Sequence, residues 1–136
     1  MSPEGRPSLT EQWMILARGD LEFASNPPLR GGHYARLCFF AQQAAEKAVK
    51  AVMTARGLRF PFTHNLQALL ELIPDEAAAH PELIGAIALT SYAAEHRYPP
   101  YLDSPDEDDW REALRLASAV VAWAEAALEP GSAPAE

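Results

Sequence analysis

The stretch FFAQQAAEKAVKA, residues 39–51, decides the fold. Tyr34, Leu37, Cys38, Ala41, Ala45, Ala48, Val49 and Val52 recur at helical spacing through and around it. That periodicity predicts a helix from His33 to Arg56, with Gly57 as the left-handed residue that stops it. Gln43, Glu46, Lys47 and Lys50 fall on one side of this helix, related by i, i+3 and i+4 steps. The simplest expectation for them is a solvated stripe, with Glu46 and Lys50 in the favoured orientation of a helix ion pair. The functional alternative is a polar network, in which Gln43 and Lys47 face a cleft or a partner chain.

The segments on either side are also helical. Ser8-Leu9-Thr10-Glu11 reads as a capping box and predicts a first helix over residues 9–25, stopped by Asn26-Pro27-Pro28. Asp20 falls near its apolar side and requires a partner, for which Lys47 is the candidate. Phe60-Pro61-Phe62 is extended. Thr63 is expected to cap a short helix over residues 65–73, ended by Pro74. Pro81 suits the first turn of a further helix reaching Arg97, broken by Pro99-Pro100. Ser104-Pro105-Asp106-Glu107 reads as a second capping box, opening a last helix that reaches Leu128. Its apolar residues form two stripes: Trp110, Leu114, Ala117, Val121, Ala124, Leu128, and beside them Ala113, Leu116, Val120, Trp123, Ala127. Two stripes fit either a contact with another subunit or a helix sunk in its own bundle. No strand pattern and no internal repeat occurs, so the fold is all-α with short connections.

A chain of 136 residues fits one domain, with an ordered core over about 9–128. A net charge of −8 disfavours nonspecific nucleic-acid binding. The single cysteine, Cys38, allows no intrachain disulfide and fits a reducing cytoplasm. It sits on an apolar stripe and reads as core. The first residues show no apolar leader, and no run is long enough to span a membrane. No Cys/His spacing suggests zinc, and Gly31-Gly32 lacks the lysine of a phosphate loop, so neither metal nor cofactor is expected. The acidic residues Asp103, Asp106, Glu107, Asp108 and Asp109 suit the amino end of the last helix.

AQQAAEKAVKA, MILARGDLEFA after Trp13, GLRFPFTHNLQALL and YAAEHRYP occur in an order that resembles the HEPN family, the higher eukaryotes and prokaryotes nucleotide-binding domains. The likeness covers about residues 9–128. It implies an antiparallel up-and-down four-helix bundle with an additional short helix. It also implies a homodimer and, as for many members, a small nucleotidyltransferase-fold partner in a toxin–antitoxin-like pair. Some members are metal-independent ribonuclease toxins, others are proposed nucleotide binders, and others have no known activity, so the resemblance also admits a non-catalytic dimeric scaffold.

The ribonuclease members carry an arginine followed, after four to six residues, by a histidine. Arginine grips phosphate through its planar fork, and histidine serves as general base or acid toward a 2′-hydroxyl. The matching arginine is Arg97, but Leu102, Asp103 and Ser104 stand where the histidine belongs. His96 precedes Arg97 and projects about 100° around the helix from it. Arg59 and His64 have the right spacing, yet they lie in a loop, where His64 reads first as an anchor of the short helix. Catalytic candidates are therefore Arg97, His96 and His64, with no intact motif at the expected place. Arg97 with Tyr98 and Tyr101 can stack a base and hold a phosphate. These three, with Gln43 and Lys47, are the ligand-binding candidates, and a nucleotide is favoured over RNA as the ligand class.

Overall fold

The computed structural model describes residues 5–27, 34–93 and 104–131. Three long helices dominate: α1 (Leu9–Ser25), α2 (Tyr34–Ala55) and α6 (Glu107–Ala127). Between α2 and α6 come α3 (Leu66–Leu70), α4 (Pro74–Ala79), α5 (Pro81–Gly85) and a 3₁₀ helix (Ala86–Tyr92). No strand occurs among the described residues, as an all-α chain requires. The fourth position of the bundle is filled by short helical pieces rather than by one rod.

α2 lies between α1 and α6. Its alanines explain how. Ala41, Ala44, Ala45, Ala48 and Ala51 are completely buried, and their small side chains let two neighbouring helices approach the same rod closely. Val49, Val52 and Met53 fill the remaining gaps. From Ala41 to Met53 every residue but Lys47 is buried. The two apolar stripes of α6 are covered within the chain at Trp110, Ala113, Leu116, Ala117, Val120, Val121, Trp123 and Ala124, while Leu114, Ala127 and Leu128 are only partly buried. The large apolar side chains left exposed include Leu9, Ile15, Leu16 and Phe23 on α1.

Several helix boundaries differ from expectation, each for a local reason. α1 starts as predicted, with Ser8 accepting from the Glu11 amide at 3.1 Å. α3 is capped by Asn65, which accepts from the Ala68 amide, while Thr63 accepts from the Asn65 amide. Pro74 does not end a helix but begins one, at the first position of α4, where a proline's missing donor costs nothing. The helix expected from Pro81 to Arg97 is α5 followed by the 3₁₀ segment, the change falling after Gly85, a residue that weakens an α-helix interior. The capping box of α6 is made by Asp106 and Asp109, each accepting from the other's amide, so Pro105 precedes the helix.

Two side chains fasten α6 to the rest. Trp110 Nε1 donates to the Ala24 carbonyl at 2.7 Å, satisfying an acceptor near the carboxyl end of α1. Trp110→Phe removes that donor and leaves the carbonyl unpaired. The expected loss is about 1–2 kcal/mol in chemical denaturation, with little change in the dependence on denaturant. At the other end, Trp123 Nε1 donates to Glu76 Oε2 at 2.9 Å. Arg56 Nη1 meets Glu76 Oε1 at 2.6 Å, and His80 Nε2 lies 3.2 Å from Glu76 Oε2. Glu76 thus joins α2, α4 and α6 at one buried carboxylate.

Cys38 is core, as its stripe suggested. Burial, with the charge of Asp109 adding to it, pushes its thiol up from 9.0 to about 12. The unfolded chain therefore releases this proton before the folded chain does. Stability falls as pH rises from 9.0 towards about 12, and Cys38→Ala removes that part of the slope. In the folded protein the thiol also resists alkylation at neutral pH and reacts only on unfolding. Denaturation against pH and a thiol titration with and without denaturant check both points.

Candidate functional site

The polar side of α2 is not the solvated stripe that its spacing suggested. Gln42, Gln43, Glu46 and Lys50 are all buried. Periodicity shows only that these residues share a side of α2. It does not reveal that α1 and the 58–65 connection cover that side.

Glu46 is the hub. Its Oε2 accepts from Lys50 Nζ at 2.8 Å. Its Oε1 accepts from Gln42 Nε2 at 3.1 Å and lies 2.9 Å from His64 Nδ1. Gln42 Nε2 also donates to the His64 carbonyl at 3.1 Å, and Gln42 Oε1 accepts from Gln43 Nε2 at 2.7 Å. A carboxylate and an ammonium buried together are tolerated only when their remaining bonding capacity is met. Here the amides and imidazole satisfy Glu46, and three aromatic rings surround Lys50. Lys50 Nζ stands 5.5 Å from the Trp13 ring centroid, 5.7 Å from Phe60 and 6.0 Å from Phe62. Such cation–π contacts suit an ammonium that has lost its water. Trp13 and Phe60 also meet edge to face, with centroids 6.3 Å apart. The indole N–H of Trp13 is buried and finds no acceptor among the described residues.

The network reaches the surface at one member. The side chains of Glu46 and Lys50 are 3% and 6% exposed, but that of His64 is 55% exposed. The contact of Nδ1 with the Glu46 carboxylate fixes the orientation of the ring. A carboxylate that orients a partly exposed histidine is one element of a general base with its orienting partner. The His64 carbonyl ties this connection to α2 through Gln42, while its ring stays partly exposed.

The other candidates fall as follows. Lys47 pairs with Asp20 at 2.6 Å, as its sequence position suggested, and ties α2 to α1 beside the Glu46 hub. Gln43 lies in the buried network, one bond removed from Glu46. His96, Arg97, Tyr98 and Tyr101 lie outside the described residues, as does Asp103. Of the other acidic residues, Asp106 and Asp109 form the α6 cap, and Glu107 holds Arg111 at 2.6 Å. No grouping of His, Cys, Asp and Glu suited to a metal ion occurs among the described residues. Nor is any described helix long and apolar enough to cross a membrane.

The missed members of the site are Glu46 and Lys50 as buried groups and His64 as their partner.

No curated protein matches the chain. Solved structures do. The crystal structure of TT1696 from Thermus thermophilus is 32% identical, covers 88% of this chain and 98% of its own, and superposes with a TM-score of 0.71. The crystal structure of ST0689, an archaeal HEPN homologue, is 22% identical, covers 90% and 100%, and gives 0.60, a likeness of fold. The HEPN domain family profile matches residues 10–127, from the start of α1 to the end of α6. The chain belongs to the HEPN domain family.

Proposed function

We propose that this HEPN protein is a nucleotide-binding or interaction module, acting as a homodimer beside a small nucleotidyltransferase-fold partner in a toxin–antitoxin-like pair. The observation that carries the ligand-binding part is the Glu46–Lys50 pair, buried at 3% and 6% exposure yet open to solvent through His64. The half-exposed ring of His64 gives this buried pair an outlet to solvent, which a ligand site needs. Gln43 and Lys47 back this site, and Arg97, Tyr98 and Tyr101 are further ligand contacts on the strength of the sequence alone. For the homodimer, Leu9, Leu16 and Phe23 offer an exposed apolar row on α1 at seven-residue spacing. The partner and the cytoplasmic setting rest on the family resemblance and on the lone buried cysteine.

The test is a melting curve with ATP and other nucleotides at millimolar concentration. A ligand that binds only the folded chain raises the melting temperature. No shift with any nucleotide overturns nucleotide binding. A solution mass of one chain at high concentration overturns the homodimer. The absence of a nucleotidyltransferase-like reading frame beside the gene removes the basis for that partner.

The contact of 2.9 Å between His64 Nδ1 and Glu46 favours a second reading, a metal-independent ribonuclease with an atypical set of residues. There His64 Nε2 would take the proton of an attacking 2′-hydroxyl. RNA degradation by the purified protein that disappears in a folded His64→Ala variant decides for this reading. RNA left intact by the wild-type protein decides against it.

A further inference from the structure

Phe62 stands out on this surface. It is a large apolar side chain 99% exposed, in a segment held firmly at both ends. Gly57, with φ of 70°, lets the chain leave α2 in a left-handed turn, and the Leu58 amide closes it by donating to the Met53 carbonyl at 2.9 Å. On the far side the His64 carbonyl is held by Gln42, and the Leu66 amide donates to Thr90 Oγ1 at 3.3 Å. The ring itself has neighbours on the protein side alone. Lys50 Nζ is 6.0 Å from its centroid. The His64 ring meets it edge to face, with centroids 6.3 Å apart and the planes at 66°. An apolar ring is thus presented to solvent on a pinned loop, with exposed Arg59 and half-exposed His64 on either side of it in the chain.

We infer that Phe62 is a stacking platform for the base of a nucleotide, with Arg59 and His64 taking the phosphate. This inference rests on the nucleotide-binding reading above. Three features favour that occupant over an apolar protein surface. A preformed aromatic face binds any base through its π system and loses little entropy in doing so. Flanking groups able to carry positive charge complement a phosphate, and they stand out on a chain of net charge −8. Arg59 offers a planar fork and His64, when protonated, an N–H donor, both suited to phosphate oxygens. Free nucleotides and the nucleotides of a single strand share this chemistry.

The experiment measures binding of AMP, UMP, ribose 5-phosphate and a short oligoribonucleotide to wild type, Phe62→Ala, Phe62→Trp and Arg59→Ala by titration calorimetry. Because Phe62 is exposed, its replacement leaves folding intact, which melting curves verify. Base stacking predicts that Phe62→Ala binds AMP and UMP about 5- to 100-fold more weakly, with ribose 5-phosphate unchanged. Phe62→Trp retains binding, and Arg59→Ala weakens all phosphate ligands. Phe62-dependent binding of mononucleotides points to a free nucleotide, and Phe62-dependent binding of the oligonucleotide alone points to a single strand; either supports the platform. Wild-type protein that binds AMP no better than Phe62→Ala does overturns the platform and leaves nucleotide binding in place. A Phe62→Ala variant that loses an associated protein but no nucleotide affinity also overturns it. If the wild type binds none of these ligands, the nucleotide-binding reading fails, and the platform with it.

Discussion

Glu46→Ala is expected to destabilise the protein by about 3–5 kcal/mol, a large part of the stability of a domain of this size. The reason is asymmetric desolvation. Lys50 is buried and its ammonium meets Glu46 at 2.8 Å, so removing the carboxylate strands a charge that water cannot reach. The Gln42 amide and the His64 ring lose an acceptor at the same stroke. The aromatic rings around Lys50 soften the loss but supply no counter-charge. The companion variant separates this cause from simple loss of contact. Glu46→Leu combined with Lys50→Met removes both charges while keeping volume, and it is expected to recover most of the stability lost by Glu46→Ala. Denaturant unfolding of the three proteins gives the answer. A double variant as unstable as Glu46→Ala would falsify the stranded-charge account.

Glu76→Ala is expected to cost about 3 kcal/mol. Its partners differ in what they can do afterwards. Arg56 is 20% exposed and can turn its guanidinium towards water. Trp123 is buried, and its indole N–H loses the acceptor at 2.9 Å with no route to solvent. His80, at 37% exposure, rehydrates readily. Most of the loss therefore belongs to Trp123 and to the joint between α4 and α6. Glu76→Gln, which keeps an acceptor for Trp123, should fall well short of the alanine variant. Equal losses in the two variants would show that the charge on Arg56 matters more than the indole.

What is legible in the sequence depends on whether a signal is local. α1 can be read to the residue, because Ser8 and Asn26-Pro27 mark its ends by rules that act within one turn. Asp20 and Lys47 can be paired because a carboxylate on an apolar face demands a cation. Pro74 cannot be placed, since proline suits both the residue after one helix and the first residue of the next. The burial of Glu46 and Lys50 is hidden for a different reason. It depends on the connection that follows α2 folding back over it, and helical periodicity contains no information about what covers a face. For the same reason the contact between His64 and Glu46 is hidden in the sequence.

The alanines that line α2 have a consequence for how this protein can change over evolutionary time. At Ala41, Ala44, Ala45, Ala48 and Ala51 the side chain has no accessible surface, so nearly every substitution adds volume between packed helices. Glycine, the one smaller choice, loosens the helix. The central rod is thus closed to drift in both directions. Divergence among chains that keep this packing is channelled into the outer face of α6 and the exposed residues of α1, where new partners can be acquired without disturbing the axis they surround.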